Sequence, residues 1–370
     1  MTQPRAGGRA RLALLLPNLG GGGAERVALA LMESFVAAGH DVDLLLLRRE
    51  GALLPLVPAG VRIVDLGAPR ILKSIAPIVR YLREARPNAI QVSMWPLTVA
   101  AIVAHRLARS SARMVISDHV ALSKQYAASP RTTAALRLTT RLFYPKAAGR
   151  VAVSAAVAED LALLSGLPAG DFEVIHNPIP APAADGGAGA AEWPAGGSRI
   201  LAAGRLTEQK NHALLLRAFA RLREERPASL VILGEGALRA PLAALAETLG
   251  IARDVAMPGF VLDTAPYYAS ADLFVLSSDY EGFGNVLVEA MRFGVPVVST
   301  DCPAGPREVL AGGALGPLTP VGDTEALAEA MARTLDSPPD PARLRERAET
   351  LSGSDSAKRY LELMLGTARS

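Results

Sequence analysis

The chain has 370 residues, 50% of them hydrophobic and 20% charged, a balance that excludes a disordered or low-complexity protein. Its one cysteine, Cys302, excludes a disulfide framework and any multi-cysteine zinc or iron–sulfur site, and suits a reducing compartment. Net charge is only +3, yet residues 1–180 hold 21 Lys/Arg against 12 Asp/Glu, and residues 70–150 hold 14 against 2.

At about 100–200 residues per domain, two domains are expected, each large enough to bury its own core. Short β-rich runs alternate with helical patterns throughout, the signature of parallel sheets in α/β layers. The opening segment places Arg5, Arg9 and Arg11 before Leu12–Leu16. Its apolar run is too short for a signal peptide and lacks a small-residue cleavage pattern, so 11–16 reads as a first strand. A glycine loop follows, then a helix over Glu25–Ala38 stopped by Gly39. Further strands are expected at Val42–Leu47, Ala89–Ser93, Arg113–Ser117, Val151–Ser154 and Glu173–Ile175. Asp41-Val-Asp43 opens the first of these and reads as a surface strand edge rather than a metal motif.

Residues 179–198 are almost wholly Pro, Ala and Gly and read as a linker. Beyond it the alternation restarts. Strands are expected at Arg199–Ala203, Ser229–Leu233, Val255–Met257, Leu273–Leu276 and Pro296–Thr300. Helices are expected at Asn211–Leu222, Leu238–Leu249 and Asn285–Arg292. A last helix, Ala357–Leu365, lies past a Ser/Gly break and is placed to reach back to the first domain. The resulting division is an N-terminal domain over 1–178, a linker over 179–198, a second domain over 199–350 and a returning helix within 351–370. No segment approaches the roughly 20 apolar residues of a membrane span.

Three stretches carry chemistry. In Glu281-Gly-Phe-Gly-Asn-Val-Leu-Val-Glu289 a strand ends, a glycine loop turns, and a helix begins near Asn285, which is read as its N-cap. Such a helix start offers free N–H groups and a positive dipole end to an anion, and Gly282 and Gly284, flanking Phe283, let the main chain approach a ligand. Glu281 precedes the helix and Glu289 lies a turn inside it. The two therefore address different parts of one ligand and do not form an acid/base pair across one bond. In Gly204-Arg-Leu-Thr-Glu-Gln-Lys-Asn211, Arg205 and Lys210 follow a strand, where open α/β sheets bind ligands, and two cations there can neutralise a departing diphosphate. The loop Gly20–Gly23, ahead of Glu25 and Arg26, lacks the full dinucleotide spacing and the P-loop Lys-Ser/Thr; it reads as a close-approach loop beside a cleft. His119, just past the strand ending at Ser117, is a candidate to face the same cleft. Read alone, each stretch also fits an ordinary helix start or a structural histidine.

Together these stretches resemble the retaining glycosyltransferases of family 4. The resemblance runs through Gly21–Arg26, Ser117–His119, Val174–Ile179, Gly204–Asn211, Gly234-Glu-Gly236, Gly259-Phe260, Glu281–Glu289 and Tyr360-Leu-Glu-Leu-Met364. It implies a GT-B fold: two Rossmann-like α/β domains with parallel sheets facing across a cleft and a C-terminal helix returning to the first. By the same resemblance Arg205 and Lys210 hold the diphosphate of a nucleotide sugar. Glu281 and the backbone of Gly282–Asn285 contact the donor sugar and phosphate, and Glu289 the ribose. Gly21, Gly22, Gly23, Glu25 and His119 lie on the acceptor side, with His119 and Glu281 as the catalytic candidates. It further implies no divalent metal, no cofactor beyond the nucleotide-sugar co-substrate, and front-face transfer without a protein nucleophile.

Ser299–Glu308 departs from the commoner family pattern and is similar to the subgroup that uses UDP-linked sugars, often N-acetylhexosamines, to extend lipid-linked oligosaccharides or surface polysaccharides. The expected partners are a nucleotide-sugar donor and a glycan or polyprenyl-diphosphate acceptor. The basic block suits an anionic membrane surface, hence a cytoplasmic protein peripheral to the inner membrane face; a solvated arginine-rich face is the plain alternative. Nucleic acid is a poor fit, because stacking aromatics are sparse there. Two rivals share the fold: a non-hydrolysing UDP-sugar epimerase and a non-catalytic nucleotide- or carbohydrate-binding relative.

Overall fold

The computed structural model describes residues 8–179 and 190–367, so half of the expected linker, 180–189, lies outside the described residues. The chain forms two compact units, one reaching to Pro178 and resuming at Gly353, the other holding Ile179–Ser352.

The first unit carries strands β1 (Arg11–Leu16), β2 (Asp41–Leu46), β3 (Val61–Asp65), β4 (Ala89–Ser93), β5 (Arg113–Asp118), β6 (Gly149–Ala152) and β7 (Glu173–Val174). Its helices are α1 (Gly23–Ala37), α2 (Ile75–Ala85), α3 (Leu97–Ala108), α4 (Leu122–Gln125), α5 (Pro130–Phe143) and α6 (Ala155–Ser165). The second unit carries β8 (Ser198–Ala203), β9 (Ala228–Leu233), β10 (Val255–Gly259), β11 (Leu273–Leu276), β12 (Val297–Thr300) and β13 (Leu318–Thr319). Its helices are α7 (His212–Glu225), α8 (Arg239–Thr248), α9 (Ala265–Ser270), α10 (Asn285–Phe293), α11 (Pro306–Val309), α12 (Thr324–Asp336) and α13 (Pro341–Leu351); α14 (Ser356–Leu365) rejoins the first unit.

Both sheets are wholly parallel, in the orders β3-β2-β1-β4-β5-β6-β7 and β10-β9-β8-β11-β12-β13. Strands buried on both faces must be apolar along their length, and β1 (RLALLL) and β9 (ASLVIL) are. In each order the chain reverses direction across one strand pair, β1/β4 in the first sheet and β8/β11 in the second. Loops leaving the carboxyl ends of such a pair open a crevice where α/β sheets take ligands. The candidate loops Gly20–Gly23 and Gly204–Asn211 follow β1 and β8, and the loop before Asn285 follows β11.

Right-handed crossovers place α2, α3, α5 and α6 on one face of the first sheet and α1 on the other. Helix α14 joins α1's layer, packing on α1, β4 and β5. Tyr360 and Met364 are buried there, Arg113 Nε donates to Leu363 O at 2.6 Å, and Arg359 pairs with Glu173 at 3.0 Å. The second core is continuous, with Leu214, Leu215, Phe219, Leu230, Leu273 and Met331 all at or below 3% exposure.

Two sequence expectations are corrected. Asp43 is not at a surface edge: it is 3% exposed, its carboxylate accepts from Arg62 Nε at 2.8 Å and Nη2 at 2.5 Å and from the Tyr81 hydroxyl at 2.7 Å. Alternation gave its direction but not which face α2 would cover. Asn285 is not the N-cap of α10; Gly284 is, in a left-handed conformation (φ +87°) that favours glycine.

Candidate active site

The second unit assembles a polar site from two loops on neighbouring strands. After β8 the chain turns at Gly204 and runs through Arg205 and Lys210 to Asn211, the N-cap of α7, whose side chain accepts from Leu214 N at 3.1 Å. After β11 it runs through Ser277–Tyr280 to Glu281. Four bonds fasten one loop to the other. Asn211 Nδ2 donates to Asp279 Oδ1 at 2.8 Å, Asp279 N to Gln209 O at 2.9 Å, Gln209 Nε2 to Tyr280 O at 3.0 Å, and Ser277 Oγ to Lys210 O at 2.9 Å.

This lattice brings Lys210 Nζ onto Glu281 Oε1 as an ion pair whose side chains are 15% and 8% exposed. Ser278, fully buried, donates its hydroxyl to the same Oε1 at 2.7 Å. Arg205 is exposed, and its charge acts on the Tyr280 phenol, whose pKa burial raises. The site therefore offers one solvent-facing cation, one held cation, and a carboxylate oriented through a single oxygen.

Gly282, Phe283 and Gly284 are buried and lead into α10, with Asn285 its first residue. Glu289 lies inside the helix, where Tyr268 donates its hydroxyl to Oε2 at 2.9 Å. Glu281 and Glu289 thus hold different partners.

The glycine pair Gly234 and Gly236 is explained by close approach. A Cβ there would stand 2.0 Å from Gly204 O and 2.3 Å from Leu206 O. The loop after β9 therefore lies directly on the Arg205 loop, with Leu206 N donating to Glu235 O at 2.9 Å. The divergent stretch Ser299–Glu308 underlies the other loop: Glu281 N donates to Pro303 O at 3.1 Å, Thr300 Oγ1 to Ser278 O at 2.6 Å, and Gly305 leaves no room for a Cβ beside Phe283 O. Cys302 is buried beside this carboxylate, and burial, then Glu281, push its thiol up to about 12. It is a core thiol and not a nucleophile.

In the first unit the loop after β1 contains Gly21 (φ +105°), Gly22 as the N-cap of α1, and Gly23 as its first residue. Glu25 folds back over this helix start; a Cβ on Gly22 would meet its Oε2 at 2.5 Å. His119 follows β5, and burial pulls its pKa down to about 4, so the ring is neutral at physiological pH. Next to it Asp118 is buried, accepting from Tyr144 at 2.7 Å and Trp95 N at 3.2 Å, with burial raising its pKa to about 6.

Sequence reading missed Ser278, Asp279 and Tyr268 in the second unit. Its missed signal was the polar run directly after β11. Among the described residues no group of three His, Cys, Asp or Glu is arranged to hold a metal ion, and no helix is long and apolar enough to cross a membrane.

A two-unit α/β protein with sites at both switch points is the architecture of nucleotide-sugar enzymes of the GT-B class. Comparison places it further. Residues 21–181 match the family described as Glycosyltransferase Family 4, and residues 190–351 that described as Glycosyl transferases group 1. An N-acetylgalactosamine-N,N'-diacetylbacillosaminyl-diphospho-undecaprenol 4-alpha-N-acetylgalactosaminyltransferase of Campylobacter jejuni is 28% identical over 349 residues, 92% of this chain and 94% of that protein. A phosphatidyl-myo-inositol mannosyltransferase of Mycobacterium leprae is 32% identical over 282 residues, 74% of this chain and 67% of the relative. Anabaena Alr3699/HepE in complex with UDP-glucose shares the fold at TM-score 0.77 and 21% identity, covering 97% of this chain and 99% of that one. The chain is a glycosyltransferase of the family 4 kind, with the GT-B fold.

Proposed function

We propose that this glycosyltransferase moves a hexose or N-acetylhexosamine from a UDP-linked donor to a glycan or polyprenyl-diphosphate-linked acceptor, with retention of anomeric configuration and without a metal ion. The observation that carries the reading is the Lys210–Glu281 pair, held by Ser278 in the loop between β11 and α10, with exposed Arg205 on the same loop as Lys210. Arg205 and Lys210 neutralise the donor diphosphate, and Lys210 does most when the leaving phosphate gains charge. With Lys210 drawn to phosphate, Glu281 is released to accept a hydrogen bond from a donor-sugar hydroxyl. Glu289, steadied by Tyr268, receives the ribose hydroxyls. The leaving phosphate takes the acceptor's proton, so no protein base is required. The Campylobacter relative's name, an α-linked N-acetylgalactosamine on a diphospho-undecaprenol carrier, supports this donor and acceptor class. The test is a panel of UDP- and GDP-sugars with a polyprenyl-diphosphate-linked acceptor, product read by mass. Transfer only from GDP-sugars, or epimerised donor without acceptor, refutes the assignment.

The same reading gives the basic block a partner. The turn before α2 and the adjoining helices α3 and α5 expose Leu72, Leu107, Leu138 and Leu142 (51–80%) among arginines and lysines. Between α2 and the end of α3 lies a groove of about 1050 Å³ whose lining includes Leu72, Leu107, the cations Lys73, Arg80 and Arg83, and one carboxylate, Glu84. Exposed leucines within a cationic field suit an anionic bilayer, each cation near the surface adding about 1 kcal/mol. Cosedimentation with anionic vesicles at low salt is expected; equal partitioning onto neutral vesicles refutes it.

A further inference from the structure

Gln91 is 1% exposed in the central strand β4, where an amide has no water to bond. Its Nε2 donates to Ser93 Oγ at 2.8 Å and to Ser117 Oγ at 2.7 Å. Register makes this possible: Ser93 lies opposite Ser117 across the β4/β5 pair, and the period of two puts Gln91, Ser93 and Ser117 on one face. Ser117 Oγ then stands 3.0 Å from Ser93 Oγ and 3.0 Å from His119 Nε2.

The hydrogens in this chain can be counted. Both amide protons of Gln91 are spent on the two serine oxygens. Two hydroxyl protons remain for three contacts, Ser93–Ser117 and Ser117–His119 at 3.0 Å and a longer Ser93–His119 contact at 3.5 Å. Both are used only when Nε2 accepts, either from Ser117 with Ser93 donating to Ser117, or over the longer path from Ser93 with Ser117 donating to Ser93. With the ring proton on Nε2, one serine proton has no acceptor among these four residues. Turning the amide over would strand two buried N–H donors in place of the one carbonyl, Oε1, that lacks a partner among the described residues, and stranded N–H groups are the rarer defect.

We infer that Gln91 is a positioning residue that fixes His119 in one tautomer, Nε2 bare and the ring proton on Nδ1. Nδ1 is buried and outside strict hydrogen-bond geometry, and the Asn177 side chain acts on the ring as a hydrogen-bond partner, raising its pKa against burial. The ring therefore turns an N–H donor toward Asn177 and toward any ligand oxygen that enters beside it, such as a sugar hydroxyl or phosphate, and has no free lone pair with which to act as a base. The consequence for transfer rests on the acceptor-side reading of His119; the tautomer does not.

Imidazole ¹⁵N shifts at pH 8 test it, since the chain has five histidines and His119→Gln identifies the signal. A protonated Nδ1 and an unprotonated Nε2 are expected. Gln91→Glu offers only acceptors, so both serines turn toward it, Ser117 can only accept from the ring, and the two nitrogen signals should exchange. Ser93→Ala combined with Ser117→Ala, which adds no charge and removes both hydroxyls facing Nε2, should leave a mixture of tautomers. A wild-type Nε2–H, or the same tautomer in all three proteins, overturns the inference. In transfer assays Gln91→Glu should lower kcat at least 10-fold with donor KM little changed. Exchanged signals with unchanged kcat uphold the inference and refute the acceptor-side reading of His119.

Discussion

Lys210→Met removes the cation from a carboxylate that is 8% exposed. Breaking a buried ion pair from one side costs about 3–5 kcal/mol, because the other charge is stranded. Here Ser278 still donates to Glu281 Oε1, and a hydrogen bond to a charged group is worth about 1.5–3 kcal/mol, so the expected loss is about 2–3 kcal/mol. Glu281→Gln strands Lys210 instead, but a flexible ammonium 15% exposed can turn to water, and about 1–2 kcal/mol is expected. The double variant strands neither charge and should unfold near the milder single variant, giving a coupling of about 2 kcal/mol. Urea unfolding of the four donor-free proteins measures this cycle. Costs that add within about 0.5 kcal/mol would refute the pairing. In turnover, Lys210→Met should lower kcat about 10²–10³-fold, the usual cost of losing one donor to developing charge, with donor KM changed only a few-fold. Unchanged kcat with raised KM shows that Lys210 merely binds.

Tyr268→Phe, which removes the hydroxyl from Glu289 Oε2, should raise donor KM a few-fold and leave kcat nearly intact; a kcat loss as large as that of Lys210→Met contradicts the ribose role. Asp43→Ala should cost about 2–4 kcal/mol in urea unfolding, because it strands the Tyr81 hydroxyl while Arg62, 57% exposed, returns to water; Tyr81→Phe should cost less. Burial depresses His119 and His212 to about 4, so the unfolded chain takes up protons first and stability falls as pH drops from about 6.5 to about 4. Asp118, raised to about 6, works the other way, because the folded chain is protonated first between about 6 and its ordinary value of 3.8. His212→Leu should therefore flatten the acid limb of a stability–pH curve, and an unchanged slope would contradict the burial argument.

Periodicity and glycine placement were enough to read the two parallel sheets from the residues. Apolar runs such as Leu12–Leu16 can satisfy their backbone only inside a sheet covered on both sides, and strand–loop–helix order puts Gly204–Asn211 and Glu281–Glu289 at strand ends. Edge elements were illegible: β3 is a half-exposed five-residue run interrupted by Arg62 and ended by Asp65, and β13 has two residues, so neither stands out as a strand. The N-cap was misplaced by one residue because Asn is a good cap in general, whereas this turn demands the positive φ of Gly284.

What a linear string cannot express is strand order, and strand order decides the site. Only the neighbouring of β8 and β11 sets Lys210 on Glu281, 71 residues apart, and only the register of β4 against β5 lines Gln91, Ser93 and Ser117 up beneath His119. The residue types announce which chemistry is possible. Which hydroxyl meets which ring nitrogen, and whether an aspartate like Asp43 faces water or an arginine, depends on distances fixed by packing between segments that are remote in the chain.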